Sequence, residues 1–284
     1  MVVSASDGTR GAYLPVPEAY ASSMRTSVAV LIAAVALVVP SAAAGSASSP
    51  PLVPSAVSFR DRLHGELGFA SPHCDVCRPR GAIAVTSDGG RTWRVVRHTD
   101  RRVVAIAFFH DAYYVELDNG HLISGQPGSR DVFTGYCPKG WAAGYSADVV
   151  DTKIDTPWSV CVGEPGAGNQ AKAVYRGTER VAYTPPSARG GYGGISSYGY
   201  PVGIAGASEF GIIWETRGTL YVTRDGGHHW HGLPKVAQPE VDFGEWADVV
   251  RGRLGIVLLE RNGHSRLIET TDAGRVWRVV HRWR

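Results

Sequence analysis

The fold of this chain is decided by residues 86–93, Thr-Ser-Asp-Gly-Gly-Arg-Thr-Trp, because the same pattern returns twice. The second copy reads Asp-Gly-Gly-His-His-Trp over 225–230, and the third reads Asp-Ala-Gly-Arg-Val-Trp over 272–277. In each, Thr or Ser lies shortly before the aspartate, glycine two residues after it and tryptophan five after it. The defining residues are Asp88, Gly90, Trp93, Asp225, Gly227, Trp230, Asp272, Gly274 and Trp277. Repeats of this kind indicate architecture before local propensity does.

The pattern predicts a tight turn between two strands. The aspartate side chain is expected to accept hydrogen bonds from backbone N–H groups a residue or two ahead. The glycine two residues later can supply a positive φ without a side-chain clash. Tryptophan then begins the next strand as a large apolar side chain whose indole N–H needs a partner. Because an apolar stretch precedes every copy, each turn should join a hairpin of fixed register.

The spacing of the copies predicts the number of repeats. Asp225 follows Asp88 by 137 residues and precedes Asp272 by 47. Three steps of about 46 residues fill the first interval, which is about the length of one four-stranded propeller blade. Two degenerate copies are therefore expected near residues 134 and 180. We predict an all-β fold, a β-propeller of about five four-stranded blades over residues 57–284, with almost no helix after the signal segment.

The repeat resembles the Asp-box, or BNR, repeat of sialidase-like β-propellers. It is also similar to the repeats of the Ycf48/HCF136-like photosystem II assembly factors. The resemblance implies that the boxes are structural turns on the outer part of each blade, away from the ligand-binding face. It further implies two alternative functions, a carbohydrate-active enzyme or an assembly factor for a membrane complex, the latter with an arginine-rich patch on its ring.

Composition agrees with an all-β protein. The 284 residues are 44% hydrophobic and 19% charged, with 35 Gly, 8 Trp and 12 Tyr, and strands and turns favour such aromatics and glycines. A net charge of +3 without a cluster of basic and aromatic residues does not predict nucleic-acid binding. His228 and His229 are neighbours, so on an extended chain they point to opposite faces and cannot readily share a metal ion. His229 and His231 could share one, but these positions are variable turn residues, so surface side chains are favoured and no metal site is predicted. No cofactor is expected.

The N-terminal residues 1–49 read as an extension followed by a secretory signal. Met24 and Arg25 precede an apolar run over 28–39, and small residues end near Ala44, where cleavage is expected. Translation is expected to begin at Met24. Residues 50–56 form a leader before the fold, and the apolar run is too short to span a bilayer, which needs about 20 residues. The mature protein is therefore expected to be secreted, without a stable membrane span, and monomeric.

Four cysteines in an exported chain favour disulfide bonds. They are Cys74, Cys77, Cys137 and Cys161, and four cysteines allow three pairings. We propose Cys74–Cys77 and Cys137–Cys161. Zinc or redox chemistry at the C-x-x-C of residues 74–77, beside His73, stays open as an alternative, although structural zinc needs four ligands and redox pairs favour a βαβ context.

The candidate ligand-binding residues are aromatic side chains on glycine-rich crossings between blades. Tyrosine on an adaptable backbone gives amphipathic contacts, as it does in other recognition loops. A mobile linker without a binding role is the alternative. The expected binding residues are Tyr192, Tyr198 and Tyr200, joined by Trp141 and Tyr145.

No catalytic residues can be assigned from the sequence. A sialidase-like site would need three arginines, a Tyr–Glu pair and an acid, and the nearest arginine candidate, Arg60, lacks the expected flanking residues. Other glycosidases need two carboxylates at suitable separation, but nothing pairs the acids between Glu209 and Asp248 across a pocket. We therefore favour a non-enzymatic binding or scaffold module that recognises a protein or glycan through one face of the ring.

Overall fold

The computed structural model describes residues 51–73, 78–109, 112–124, 137–141, 158–163, 169–186, 194–215, 220–237 and 243–283. Within these ranges the chain forms β-strands and turns and contains no helix, and so none long and apolar enough to cross a membrane. The described part of the chain has eighteen strands in five antiparallel sheets, and in each of these sheets the strands pair in chain order. All-β architecture is therefore as predicted.

Three of the sheets have four strands among the described residues and two have three. Sheet 1 contains β1 (Val53–Phe59), β2 (Gly65–Ala70), β3 (Gly81–Thr86) and β4 (Arg94–Thr99). Sheet 2 contains β5 (Val103–Phe109), β6 (Ala112–Leu117) and β7 (Leu122–Ser124). Sheet 3 contains β8 (Trp158–Val162), β9 (Lys172–Arg176) and β10 (Glu179–Thr184). Sheet 4 contains β11 (Pro201–Gly206), β12 (Gly211–Glu215), β13 (Leu220–Thr223) and β14 (His231–Gly232). Sheet 5 contains β15 (Phe243–Arg251), β16 (Leu254–Arg261), β17 (His264–Thr270) and β18 (Arg278–Arg282).

Each D-x-G-x-x-W turn joins the third and fourth strands of a four-stranded sheet. In the first turn, Asp88 Oδ1 accepts hydrogen bonds from the backbone N–H groups of Arg91 at 2.9 Å and Thr92 at 3.0 Å. The aspartate therefore reaches three and four residues ahead, farther than expected, because Gly89 and Gly90 both have positive φ and curl the backbone around the carboxylate. The indole N–H of Trp93 donates to the Gly90 carbonyl at 3.0 Å.

A threonine two residues before each aspartate completes the turn. The Thr223 hydroxyl donates to Asp225 Oδ1 at 2.8 Å and accepts from the Gly227 N–H at 3.0 Å. Thr86 and Thr270 make the same pair of bonds in the other two turns. The hydroxyl satisfies a buried backbone donor and holds the carboxylate, so the working motif is T-x-D-x-G-x-x-W.

The degenerate copies behave differently. The one expected near residue 180 is a short hairpin in which Gly177 and Thr178 connect β9 to β10, and Arg176 pairs with Glu179. It keeps two strands and a glycine-containing turn and lacks the tryptophan. The copy expected near residue 134 lies outside the described residues.

Buried strands meet where sheets 1, 2 and 5 adjoin. Strand β1 packs against both β5 and β15. Asp248 in β15 accepts hydrogen bonds from the Ser58 hydroxyl at 3.2 Å and from the Phe59 N–H at 2.7 Å. The Ser58 hydroxyl accepts in turn from the Phe108 N–H at 3.0 Å. One buried polar node therefore joins the first strands of three sheets.

Two details differ from the sequence expectations. Strand β1 begins at Val53, inside the segment 50–56 expected to be a leader. Pro54 does not prevent this, since it lies near the start of the strand, where the lack of an N–H is tolerated. Strand β5 is a continuous apolar run, a pattern typical of a strand buried on both faces, but Val104 is 40% exposed. A register shift between Val103 and Ala105 turns that side chain outward.

Candidate functional site

The structure describes three of the five aromatic residues expected to bind a ligand. Tyr198 is 46% exposed and Tyr200 is half-buried, and both follow the turn at Gly194. Trp141 is half-buried. Tyr145 and Tyr192 lie outside the described residues.

Trp141 and Tyr198 lie on opposite faces of sheet 3. Trp141 packs on the cluster formed by Cys161, Ala173 and Tyr175. Lys172, whose side chain points to the other face because side chains alternate along a strand, donates to the Tyr198 carbonyl. Trp141 and Tyr198 therefore do not line one common surface.

A disulfide bond joins Cys137 to Cys161, one of the two pairs proposed from the sequence. It ties the segment that carries Trp141 to β8, and Trp141 meets Tyr183 edge-on with ring centroids 6.1 Å apart. This arrangement gives Trp141 a packing role. Cys74 and Cys77 lie outside the described residues.

The segment that carries Tyr198 is held by a buried ion pair. Lys172 Nζ lies 2.5 Å from Glu215 Oε1, and both side chains are 0% exposed. The same ammonium donates to the carbonyls of Ser196 at 2.6 Å and Tyr198 at 3.1 Å. Three charge-assisted hydrogen bonds thus anchor residues 196–198 to sheets 3 and 4.

Burial dominates the electrostatics of this pair. Desolvation raises the pKa of Glu215 to about 7, and Lys172 opposes that rise. Desolvation also lowers the pKa of Lys172, opposed by the charge of Glu215. A pair without exposed surface cannot reach a ligand, so its role here is to position the backbone above it.

A second location has the shape of a ligand site. A cavity of about 640 Å³ opens on the face of sheet 1 and reaches Tyr113 in β6. Ligand pockets occupy about 300–1,000 Å³. Its described lining combines two aromatic rings, three basic side chains, one carboxyl and several hydroxyls: Arg60, His64, Gly65, Glu66, Val85, Thr86, Ser87, Thr92, Trp93, Arg94 and Tyr113.

The strand register of sheet 1 places the central groups of this cavity. Glu66 in β2 pairs with Val85 in β3, which pairs with Arg94 in β4. Directly opposed residues share a face of the sheet, so Glu66 and Arg94 point the same way. The turn at residues 88–93 positions Trp93 at the same end, where its ring meets Phe59 edge-on at 6.0 Å.

Glu66 is the one carboxyl group among the described lining residues of the cavity. Burial raises its pKa to about 7. Within the described residues, no hydrogen bond or ion pair stabilises its charged form. A perturbed ionisable group inside a cavity is characteristic of functional sites. Glu66 is thus able to exchange a proton with a ligand near neutral pH.

Tyr113 and the loop at residues 60–64 form the opposite wall. The Tyr113 hydroxyl accepts from the Arg60 N–H at 3.1 Å and donates to the His64 carbonyl at 3.3 Å. Burial raises the pKa of Tyr113, and the charges of Glu66 and Asp248 add to the rise. The phenol therefore stays protonated and serves as a hydrogen-bonding group.

Asp61 fixes the shape of that loop. It accepts from the backbone N–H groups of Leu63 at 2.8 Å and His64 at 2.9 Å, and its Oδ2 lies 2.9 Å from His64 Nδ1. Arg60 Nε lies 3.3 Å from the same carboxylate. The carboxylate thus positions two of the three basic side chains of the cavity.

Sequence reasoning missed this cavity, apart from weighing Arg60 as a possible carboxylate-binding arginine. Its groups come from two sheets, and Glu66 and Tyr113 stand 47 positions apart. One signal was present. Glu66 is the one charged residue in strand Gly65–Ala70, whose other residues are small or apolar. Burying a carboxyl in such a strand is costly, which indicates a specific role.

His229 of the second turn has a structural contact. His229 Nδ1 lies 2.6 Å from Asp225 Oδ2. In the first turn, the Thr92 hydroxyl bonds Asp88 Oδ2 at the same distance. Among the described residues no group of three His, Cys, Asp or Glu side chains could hold a metal ion.

Comparison with solved structures gives distant likenesses. No family model and no curated protein matches the chain. A structure described as YCF48 bound to D1 peptide is 12% identical, with a TM-score of 0.33, covering 82% of each chain. The β-propeller domain of the trilobed protease from Pyrococcus furiosus is 6% identical, with a TM-score of 0.34, covering 80% of this chain and 82% of that one.

A glycoside hydrolase is among the structural likenesses. The GH74 xyloglucanase from Xanthomonas campestris is 13% identical, with a TM-score of 0.30, covering 79% of this chain and 38% of that one. At such TM-scores the likenesses carry no argument about function. The interpretation of this chain rests on its own sheets, turns and cavity.

Proposed function

We propose that this protein is an exported, non-enzymatic binding module, a five-bladed β-propeller that recognises a glycan or a protein segment in the cavity beside Glu66. Each of the five sheets is one blade. The node of Ser58 and Asp248 is the contact through which the first and last blades close the ring.

One observation carries the proposal: a half-buried carboxyl, without a hydrogen-bond or ion-pair partner among the described residues, stands in a large cavity among aromatic rings and basic groups. Trp93 and Tyr113 offer apolar faces, while Arg60, His64 and Arg94 offer donors. Ligand sites combine apolar walls with a few placed polar groups.

The same lining favours binding over two-carboxylate hydrolysis. Glu66 is the one carboxyl among the cavity's described lining residues. Canonical glycosidases hold two carboxyl groups on either side of the scissile bond. Asp248 lies nearby, but it is bonded to Ser58 and Phe59 in the packing node.

Export is part of the proposal and rests on two features. The apolar run over 28–39 has the form of a signal segment. The disulfide between Cys137 and Cys161 suits an oxidising compartment.

Glycan and peptide arrays probed with the purified protein test the function. Arg94→Ala and Tyr113→Phe should weaken every array signal by about tenfold, the loss of one charge-assisted or buried hydrogen bond. Arg101→Ala, an exposed arginine outside the cavity, is the matched control. Signals that survive both cavity changes, or that fall equally in the control, would refute binding at this cavity.

A carbohydrate-active enzyme is the second candidate, and one observation favours it. Glu66, with a pKa of about 7, lines a cavity together with Tyr113 and Arg60. An acid, a phenol and a cation therefore stand in one cavity, as they could in an active site. A hydrolysis screen with wild type and Glu66→Gln decides between the two. Turnover abolished by Glu66→Gln establishes an enzyme, and binding without turnover establishes the module.

A further inference from the structure

Three arginines from three different turns surround a depression of about 170 Å³ where sheets 4 and 5 adjoin. Arg224 belongs to the second D-x-G-x-x-W turn and Arg275 to the third. Arg253 lies in the hairpin turn between β15 and β16. The other described lining residues are Ser208, Glu209, Phe210, Gly252 and Ala273.

The backbone of the third turn bonds the side chains of Arg224 and Arg275 and the main chain of Arg253. Arg224 Nε donates to the Ala273 carbonyl at 2.7 Å. The Ala273 N–H donates to the Arg253 carbonyl at 3.0 Å. Arg275 Nη1 donates to the Asp272 carbonyl at 3.1 Å. Residues 272–273 therefore hold two of the guanidinium groups and the backbone of the third arginine, and all three arginines line the depression.

The depression carries an excess of positive charge. Three guanidinium groups face one acid of the lining, Glu209. The carboxylate of neighbouring Asp272 accepts backbone N–H groups of its own turn, and counting it still leaves a net positive charge. Burial lowers the pKa of Arg224, and the charge of Arg275 lowers it further, with Asp272 opposing. Like charges held this close repel one another unless an anion lies between them.

The donor groups are placed for a ligand. Arg224 donates through Nε to the backbone, and no hydrogen bond of its Nη groups occurs within the described residues. The same holds for the side chain of Arg253 in those ranges. Guanidinium groups bind oxyanions through paired N–H donors, and three around one small space suit a tetrahedral anion better than a single planar carboxylate.

We propose that this depression is an anion site for phosphate or sulfate, as a free ion or as a monoester. It lies on sheets 4 and 5, apart from the cavity of sheet 1, and does not depend on the function proposed for that cavity. A volume of about 170 Å³ equals that of five or six liquid waters, at about 30 Å³ each, and admits such an ion.

Calorimetric titration with potassium phosphate and potassium sulfate tests the site, against potassium chloride at matched ionic strength. Saturable binding of the tetrahedral ions is expected. Arg253→Gln should weaken it about tenfold, since a charge-assisted bond is lost. Arg251→Gln, an exposed arginine on the other side of the same turn, is the matched control and should change the affinity less than about twofold.

Because Arg253 is exposed, its variant should unfold in chloride at the wild-type temperature, which keeps folding apart from binding. Titration with a monosaccharide phosphate distinguishes a phosphate monoester from the free ion as the ligand. Tighter binding than inorganic phosphate assigns the site to an ester, and weaker binding assigns it to the free ion. Equal heats for phosphate and chloride would overturn the proposal. So would an equal loss of phosphate affinity in Arg251→Gln and Arg253→Gln.

Discussion

Replacing Thr223 by valine tests whether the threonine hydroxyl holds the D-x-G-x-x-W turn. Valine keeps the shape of threonine and removes the hydroxyl. The change breaks the 2.8 Å bond to Asp225 and leaves the buried Gly227 N–H without its acceptor. A buried unsatisfied donor costs about 1–3 kcal/mol, and a net hydrogen bond contributes about 1 kcal/mol.

Together these effects predict a loss of about 3 kcal/mol in the free energy of unfolding. At roughly 2–4 °C per kcal/mol for a domain of about 150–250 residues, Tm should fall by about 6–12 °C. Differential scanning calorimetry and urea unfolding measure both quantities.

Thr271→Val is the control, because Thr271 is an exposed threonine beside the third turn. It should change the free energy of unfolding by less than about 0.5 kcal/mol. If Thr223→Val is as stable as Thr271→Val, the hydroxyl does not hold the turn, and the assignment of threonine to the motif is wrong.

Two further changes test the electrostatics of the fold. Burial raises the pKa of Glu66 from 4.5 to about 7, so the folded state binds its proton more tightly than the unfolded chain does. Its contribution to stability is therefore full below about pH 4.5 and is lost as the pH rises through about 7. Urea midpoints from pH 4.5 to 8 should fall more steeply for wild type than for Glu66→Gln, and parallel curves would contradict the raised pKa. Lys172→Met leaves the Glu215 carboxyl buried without its cation and should cost about 3–5 kcal/mol, with faster amide hydrogen exchange over 194–200. Lys235→Met, at an exposed lysine, is the control and should change neither the free energy of unfolding nor the hydrogen exchange. Unaltered exchange in Lys172→Met would show that the ion pair does not hold residues 194–200.

The sequence predicted the repeated turns because their geometry is local. Aspartate, glycine and tryptophan lie within six residues, and glycine at positive φ is a property that a sequence displays. The role of the threonine was less visible, since a hydroxyl two residues away can bond in several ways. Only the backbone path shows that Thr86, Thr223 and Thr270 bond both the carboxylate and a buried N–H.

The candidate site was beyond sequence reasoning because register and sheet packing decide it. The pairing of Lys172 with Val162 and of Ala173 with Cys161 determines that Trp141 and Tyr198 lie on opposite faces of sheet 3. A shift of one residue would exchange those faces. The cavity beside Glu66 likewise requires β2 and β6 to approach, and neither strand carries a signal for the other.

A crystal structure of the protein with a ligand selected from the arrays shows directly where binding occurs. We expect density for that ligand in the 640 Å³ cavity, in contact with Trp93 or Tyr113 and within hydrogen-bond distance of Glu66 or Arg94. Ligand density elsewhere on the protein, with that cavity occupied only by solvent, would show that the cavity beside Glu66 is not the binding site.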